Sequence, residues 1–163
     1  PLKEPKTFEI FDFGQLHGKQ TDALRNLPSL FALYAHKNLA FIGPQGVGKT
    51  HLAMAYGRKC CQSGLKAYFL KATELNQRLT DARKYGRESS TINGLVKPSC
   101  LIIDEIGRCV FDKENTRMFF DVIDRTFDDA TVFMIKGNSY RGKNCETIAL
   151  SAGAPSALPK TQH

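Results

Sequence analysis

A glycine-rich segment between an apolar run and a helical pattern constrains the fold of this 163-residue chain more than any other feature. Residues 43–50 read Gly-Pro-Gln-Gly-Val-Gly-Lys-Thr and satisfy the pattern G-x-x-x-x-G-K-[ST]. They follow the apolar residues 38–42 and precede a helical pattern over residues 49–63 that Gly64 ends. In this order the backbone N–H groups of the loop converge on phosphate oxygens, beside the positive end of the helix. The segment therefore predicts a phosphate-binding loop.

The residue types in this loop indicate which phosphate compound it binds. Lys49 supplies a mobile positive charge for β- and γ-phosphates, and the Thr50 hydroxyl is a ligand for Mg²⁺. ATP with Mg²⁺ is therefore the predicted ligand, and an accidental match is disfavoured by the correct flanking elements. The predicted nucleotide-binding residues are Gly43, Pro44, Gln45, Gly46, Val47, Gly48, Lys49, Thr50 and His51.

Strand and helix patterns alternate along the rest of the chain. Apolar runs predict strands at residues 38–42, 67–70, 100–103 and 131–135, and residues 145–150 are a weaker strand candidate. Helical spacing covers residues 21–37, broken at Pro28, and residues 49–63, 73–86 and 113–127. Thr73 and Asp112 are the expected N-caps of the last two helices, whereas residues 89–98 are polar and predicted to be irregular. Such alternation predicts an α/β fold, a mainly parallel sheet with helices on both faces.

Polar residues follow two of these strands. Asp104 and Glu105 come directly after the apolar run 100–103, where a carboxylate at position 104 can hold Mg²⁺ and Glu105 can accept a proton from the attacking water. Asn138 follows the strand at 131–135, which in ATPases of this layout lies between the loop strand and the acidic strand, so its side chain would face the γ-phosphate. A solvated strand end for the two acids, and an ordinary turn for Asn138, are the alternatives.

Composition bears on partners and on the compartment. Lys and Arg number 23 against 16 Asp and Glu, a net charge of +7 that favours a polyanionic partner, with nucleic acid favoured over membrane. Five cysteines without a C-x-x-C pair predict a reduced, cytoplasmic chain, and Cys60, Cys61 and Cys100 are expected in the core. No run of 18 apolar residues and no apolar signal core are present, so we predict neither export nor membrane insertion.

A cluster of basic residues marks the helix predicted at 73–86. It consists of Arg78, Arg83, Lys84 and Arg87, with Tyr85 among them. These side chains are candidate contacts for the phosphate backbone of DNA, and such contacts make binding salt-sensitive. The alternative is that these side chains simply form a helix face exposed to solvent.

Four stretches in order carry a family resemblance: residues 6–13 (KTFEIFDF), residues 43–53 (GPQGVGKTHLA), residues 101–107 (LIIDEIG) and residues 111–115 (FDKEN). The chain resembles the IstB-like ATPases over about residues 6–138. These are transposition helpers of bacterial insertion sequences, related to the DnaC and DnaI helicase loaders. The resemblance implies an AAA+ P-loop NTPase, a three-layer α/β/α sandwich that works as a multimer on DNA, with Asn138 as its sensor-1 asparagine.

The resemblance also implies a division of the chain. Residues 1–20 form an N-terminal arm, residues 21–138 the nucleotide-binding core, and residues 139–163 a divergent and poorly ordered tail. Relatives continue with helices that supply a trans-acting arginine and a lid arginine, and neither aligns here, so the expectation is a chain truncated or divergent after about residue 138 without a lid domain. An arginine finger contributes roughly 10³ to 10⁵ in rate, so the predicted ATPase turnover is weak.

The sequence leaves three functions open. The first is a DNA-dependent ATPase, a homo-oligomer that assists a transposase or, alternatively, loads a replicative helicase. The second is a nucleotide-binding remnant that barely hydrolyses ATP. The third is a small-molecule phosphotransferase, which is weaker because a glutamate beside the metal-binding aspartate suits activation of water.

Overall fold

The computed structural model describes residues 4–126, 129–134, 136–138 and 144–145, with side chains for residues 4–126. Its helices are α1 (Thr21–Arg25), α2 (Phe31–Tyr34), α3 (Lys49–Gln62), α4 (Ala72–Lys84), α5 (Glu88–Val96) and α6 (Lys113–Thr126). Its strands are β1 (Leu16–His17), β2 (Lys37–Ile42), β3 (Ala67–Lys71), β4 (Cys100–Asp104), β5 (Asp129–Met134), β6 (Lys136–Asn138) and β7 (Asn144–Cys145). The predicted strands at 38–42, 67–70 and 100–103 are confirmed to within one residue at either end.

The sheet consists of parallel pairs, as the apolar strands predict. Strands β2 and β5 pair in parallel from Lys37 opposite Asp129 to Ile42 opposite Met134. Strands β3 and β4 pair in parallel from Ala67 opposite Cys100 to Lys71 opposite Asp104. The strand after the last helix thus lies beside the loop strand as predicted, whereas its predicted second pairing, with β4, is not among the strand pairs of the described residues.

Two apolar clusters on opposite faces of the sheet give the three-layer arrangement. Along β4, Cys100 and Ile102 pack into the cluster built on α3, whereas Leu101 and Ile103 pack into the cluster built on α4, α5 and α6. Successive side chains of a strand point to opposite faces of a sheet. The pattern of the strand therefore requires a helix layer on each side, and the fold is the predicted α/β/α sandwich.

Helix α5 corrects the expectation of an irregular segment at residues 89–98. Polar residues and a glycine disfavour a helix in this stretch by local propensity. Ile92 and Leu95, however, are three positions apart on one face, and both are buried against the second cluster. Tertiary burial of this narrow apolar stripe outweighs the weak local preference.

The N-terminal segment packs into the core of the domain. Phe8 and Phe11 are buried in the cluster that contains the α3 residue Leu52, and Phe13 packs against it. Ile10, which lies between Phe8 and Phe11 in sequence, is 50% exposed. The chain turns at this point, with the Phe11 N–H donating to the Phe8 carbonyl at 3.3 Å, and the two residues inside the turn, Glu9 and Ile10, are both exposed.

The helix ends agree with the sequence at two places and differ at one. Asp112 caps α6 by accepting the Asn115 N–H at 2.7 Å, as predicted. Pro28 lies in a 3₁₀ turn that separates α1 from α2, which is the predicted break. Helix α4 begins at Ala72, with Lys71 and not Thr73 at its N-cap, because Glu74 reaches back to accept the Lys71 N–H at 3.0 Å.

A buried polar contact joins α4 to α6. Asn115 is 1% exposed, donates to the Asn76 side-chain oxygen at 2.8 Å and to the Thr80 hydroxyl at 2.8 Å, and accepts from Arg83 at 3.1 Å. Buried polar groups are costly unless they are paired, and here both ends of the amide are satisfied. The contact fixes α4 against the segment that follows β4.

The cysteines divide between core and surface. Cys60 and Cys100 are buried as predicted, and the hydrogen bond between their thiols, together with burial, raises the pKa of Cys100. Cys61 is exposed, so its predicted core position is wrong, because its side chain lines an open cavity beside Phe69. None of the described helices is long and apolar enough to cross a membrane.

The predictions for the C-terminal part are tested only where the structure describes it. Strand β7 is antiparallel to β6, with Gly137 opposite Cys145, and is not paired with β2. Cys145, the first residue of the strand candidate at 145–150, is therefore in a strand, and that strand does not lie beside the loop strand. Residues 146–150 and the rest of the predicted tail lie outside the described residues.

Candidate nucleotide site

The glycine-rich loop connects β2 to α3 at the carboxyl edge of the parallel strands. Gly46 and Gly48 have φ values of 84° and 101°, in the region that only glycine adopts without strain. Val47 between them is fully buried in the first cluster, so its side chain anchors the loop and its backbone faces the opposite way. Helix α3 then begins at Lys49. These features form a concave turn of backbone N–H groups at the positive end of a 14-residue helix.

Lys49 folds back over the loop that precedes it. Its ammonium donates to the carbonyl oxygen of Gly43 at 2.7 Å and to that of Pro44 at 2.6 Å. The positive charge therefore lies over the concave turn, where phosphate oxygens would compete with neutral carbonyls for it. Bonds from an ammonium to an anion are stronger than bonds to a neutral acceptor, so an exchange of partners is favourable.

The loop helix and the acidic strand meet at one hydrogen bond. The Thr50 hydroxyl donates to Asp104 Oδ2 at 2.8 Å, although the two residues are 54 positions apart. The other oxygen, Oδ1, accepts the Glu105 N–H at 2.9 Å, which orients the carboxylate. A hydroxyl and a carboxylate oxygen in contact are the hard donors that Mg²⁺ prefers, so this pair fits the ion. Among residues 4–126 no group of three or more His, Cys, Asp or Glu side chains offers a competing metal site.

Glu105 lies between two cations that the sequence did not indicate as site residues. Its carboxylate is 3.5 Å from the Lys71 ammonium and 3.6 Å from the Arg108 guanidinium. Lys71 ends β3 directly opposite Asp104 in the register, so the pairing of the strands brings it to the site. Glu105 itself has φ 59°, a left-handed conformation that turns the chain sharply after the strand. The signal for Lys71 was its place at a strand end, which becomes informative only once the strand order is known.

His51 connects the loop helix to the N-terminal segment. Its Nε2 is 2.7 Å from the Thr7 carbonyl oxygen, and its ring meets the Phe11 ring edge-on with centroids 5.2 Å apart. The segment that precedes the core thus contacts the first turn of α3. The His51 ring therefore contacts protein atoms of the N-terminal segment.

Asn138 is the last residue of β6. This strand pairs antiparallel with β1, with Gly137 opposite Leu16, and with β7, where Asn138 is opposite Asn144. The side chain of Asn138 lies outside those that the structure describes, so its predicted orientation toward the γ-phosphate remains a prediction.

The four basic residues proposed as DNA contacts fall into three environments. Arg83 forms an ion pair with Asp112 at 2.8 Å, so it serves the contact between α4 and α6. Arg78 stacks over the Tyr68 ring at 5.3 Å. Lys84 and Arg87 flank the exposed Tyr85 ring at the turn between α4 and α5, at 5.3 Å and 5.2 Å.

The sequence matches the family model of IstB-like ATP binding proteins over residues 1–142. The chain belongs to this family. It is 32% identical to the putative ATP-binding protein of insertion sequence IS5376 from Geobacillus stearothermophilus, over 97% of this chain and 62% of that protein. It is 31% identical to the putative ATP-binding protein of insertion sequence IS21 from Pseudomonas aeruginosa, over 83% of this chain and 51% of that protein. The IstB-like chain thus spans about half to three fifths of the length of these relatives.

Solved structures of replication proteins are similar in fold. DnaA from Aquifex aeolicus bound to AMPPCP superposes with a TM-score of 0.62 over 81% of this chain and 43% of DnaA, at 19% identity. The DnaC helicase loader superposes with a TM-score of 0.56 over 74% of this chain and 75% of that protein, at 21% identity. The chain therefore shares the fold of DnaA and DnaC, an α/β fold as predicted.

Proposed function

We propose that this chain binds ATP with Mg²⁺ in the loop of residues 43–50 and hydrolyses it. The 2.8 Å bond between Thr50 and Asp104 carries the proposal, because it joins the loop helix and the acidic strand directly after the glycine-rich loop. Membership of an ATP-binding family supports it. Thr50 and Asp104 would hold the Mg²⁺, which when bound neutralises charge on the β- and γ-phosphates.

The remaining roles follow from where each group lies. Lys49 exchanges its two carbonyl partners for phosphate oxygens and keeps its charge at the turn. Glu105 is the base that accepts the proton of the attacking water, and Asn138 orients that water. His51 acts through its contact with the Thr7 carbonyl, holding the first turn of α3 in place beneath the nucleotide.

Titration with a fluorescent ATP analogue tests the binding step. Lys49→Ala is expected to weaken binding in the presence of Mg²⁺ by roughly tenfold or more, because hydrogen bonds to charged groups are among the strongest in proteins. Asp104→Asn is expected to remove most of the dependence on Mg²⁺. Lys19→Ala, an exposed lysine in a turn outside the loop, is the matched control and should bind as the wild type does. A folded chain that ignores ATP with Mg²⁺ overturns the proposal.

We further propose that the chain is a DNA-dependent ATPase that assists a transposase. The insertion-sequence relatives and the net charge of +7 support this proposal. Lys84 and Arg87 are its candidate phosphate contacts, since Arg83 already pairs with Asp112. Duplex DNA at low salt should raise phosphate release, and the double change Lys84→Ala with Arg87→Ala should lower this stimulation. Equal rates with and without DNA would count against it.

A nucleotide-binding remnant is the second candidate. The two cations beside Glu105 favour it, because both ion pairs occupy carboxylate oxygens that an attacking water would need. Glu105→Gln separates the two candidates, since it abolishes turnover in an ATPase and leaves a remnant's residual rate unchanged. Transposase assistance and helicase loading are separated by adding each purified partner with DNA and ATP, and by following strand transfer and helicase loading on the same sample.

A further inference from the structure

Strand β3 forms one edge of its strand pair. Within the described residues it pairs with β4 alone, so its other side has no neighbouring strand. An open strand edge presents a row of backbone N–H and C=O groups that can pair with another chain. The edge lies on the far side of β4 from Thr50, and its residues play no part in the nucleotide site described above, except for Lys71 at its carboxyl end.

The hydrogen bond at the start of β3 shows which backbone groups point outward. The Cys100 N–H donates to the Lys66 carbonyl at 3.0 Å, so the backbone groups of Lys66 point toward β4. Neighbouring residues of a strand direct these groups to opposite sides. The N–H and C=O groups of Ala67 and Phe69 therefore point to the open edge.

Two cavities flank this edge on opposite faces of the strand. A cavity of about 880 Å³ lies on the side of α4 and α5 and includes Tyr68 in its lining. A smaller cavity of about 130 Å³ lies on the side of α3 and includes Phe69 and Ile102. A peptide added to the edge would place successive side chains alternately on these two sides, because side chains alternate along any strand.

The chemistry of the two cavities differs. The large one is lined by three cationic side chains, Lys66, Arg78 and Arg87, and by one acid, Asp81, which accepts a hydrogen bond from Gln77 at 3.0 Å. Its charge therefore favours anionic side chains, and Arg78 lies at the strand itself, over the Tyr68 ring.

The small cavity is mostly apolar. Its lining includes Met54 and Phe69, which are both 37% exposed, and Gly57 on the facing turn of α3. A volume of about 130 Å³ accommodates a small apolar side chain such as valine. Large apolar side chains left half-exposed beside an open strand gain free energy when another chain covers them.

We propose that the open edge of β3 binds an extended acidic segment of a partner protein as an added strand, with acidic side chains in the large cavity and small apolar ones in the small cavity. The outward groups of Ala67 and Phe69 supply alternating donors and acceptors, which match a peptide backbone and not a nucleic acid backbone, because phosphates and sugars carry no amide ladder.

A labelled peptide provides the test, with fluorescence anisotropy as the readout on the full chain without nucleotide. The probe is a ten-residue peptide in which glutamate alternates with valine, and a peptide of the same composition with its glutamates in one block is the comparison. Arg78→Glu reverses a charge in the large cavity, and Lys19→Glu is the matched reversal on an exposed turn elsewhere. Ala67→Pro removes one outward N–H while the bonds to β4 remain, since proline is tolerated at strand edges.

The expected result is binding of the alternating peptide that Arg78→Glu weakens by roughly tenfold, the effect of losing a charge-assisted contact. Ala67→Pro weakens it similarly and Lys19→Glu does not. Methylating every second peptide nitrogen abolishes binding without any change to the protein, which keeps the test decisive if Ala67→Pro fails to fold. Equal binding of the two peptides, no binding, or insensitivity to methylation overturns the proposal. If a single-stranded oligonucleotide of twelve nucleotides displaces the peptide, and Arg78→Glu prevents this displacement, the edge binds nucleic acid and the proposal is overturned.

Discussion

Individual residues of the nucleotide site were predictable where a local pattern defines them, and not where a strand pairing does. Lys49, Thr50 and Asp104 stand in motifs, and the structure brings the last two to 2.8 Å. Lys71 and Arg108 were missed, because a lysine at a strand end and an arginine after a turn are ordinary in sequence. Their meaning comes from the register that aligns Lys71 with Asp104 and so with Glu105.

The ion pair between Lys71 and Glu105 gives a prediction for turnover. If Glu105 accepts a proton from water, the Lys71 ammonium 3.5 Å from its carboxylate competes with that water for the same oxygens. Lys71→Met is therefore expected to raise kcat by roughly two- to fivefold with an unchanged affinity for ATP, since it releases the carboxylate and leaves the phosphate contacts intact. Steady-state phosphate release and analogue titration measure the two quantities. Lys97→Met, an exposed lysine at the end of α5, is the control, and a fall in kcat for Lys71→Met contradicts the argument.

Asp112 gives a prediction for pH. The Asn115 N–H and then the Arg83 guanidinium lower the pKa of Asp112 in the folded chain. A lowered folded pKa means that the unfolded chain binds the proton more readily, so this stabilisation is present above the ordinary aspartate pKa and is lost as the pH falls through the folded value. Urea unfolding between about pH 5 and about pH 2 should therefore show a steeper loss of stability for the wild type than for Asp112→Asn. Asp124→Asn, which leaves the pair with Arg83 intact, should follow the wild type.

At the scale of elements, the sequence predicts those with a strong period and fails on one that burial alone stabilises. A regular apolar period identifies strands β2, β3 and β4 and helices α3 and α6 without any knowledge of their tertiary contacts. Helix α5 does not, because serine, threonine, asparagine and glycine dominate it and only Ile92 and Leu95 are buried. The stability of α5 depends on contact with α4 and α6, and a prediction from local sequence does not include such contacts.

The weak local preference of α5 can be strengthened at Gly94. A Cβ added there meets no atom within 4 Å, and the residue lies in the middle of the helix. Gly94→Ala is therefore expected to raise the free energy of unfolding by about 0.5 to 1 kcal/mol, because alanine loses less backbone entropy than glycine. Gly86→Ala is the matched comparison, since Gly86 has φ 63° and should lose about 1 kcal/mol when a Cβ is added. Urea denaturation of both variants measures the two effects, and a destabilised Gly94→Ala would mean that this face of α5 is covered.

At the scale of the whole molecule, the sequence predicted three layers and a parallel sheet but not which surface the N-terminal segment contacts. The residues assigned to an arm contribute Phe8 and Phe11 to the cluster that also buries Val47 of the loop. The same segment pairs through β1 with β6, the strand that ends at Asn138. Long-range contacts of this kind have no local signature, because they depend on which surface the chain returns to after it folds.

Phe11 therefore links the stability of the domain to its affinity for nucleotide. Its ring is 5% exposed, and it meets His51 in the first turn of the loop helix. Phe11→Leu should lower the free energy of unfolding by about 1 to 2 kcal/mol through poorer packing. It should also weaken binding of an ATP analogue, because the turn that bears Lys49 and Thr50 loses its support. Ile10→Leu changes a half-exposed neighbour and should leave both quantities unchanged. Denaturation and analogue titration on the same samples test the link, and a destabilised Phe11→Leu that binds nucleotide as tightly as the wild type would show that the loop is held by β2 and α3 alone.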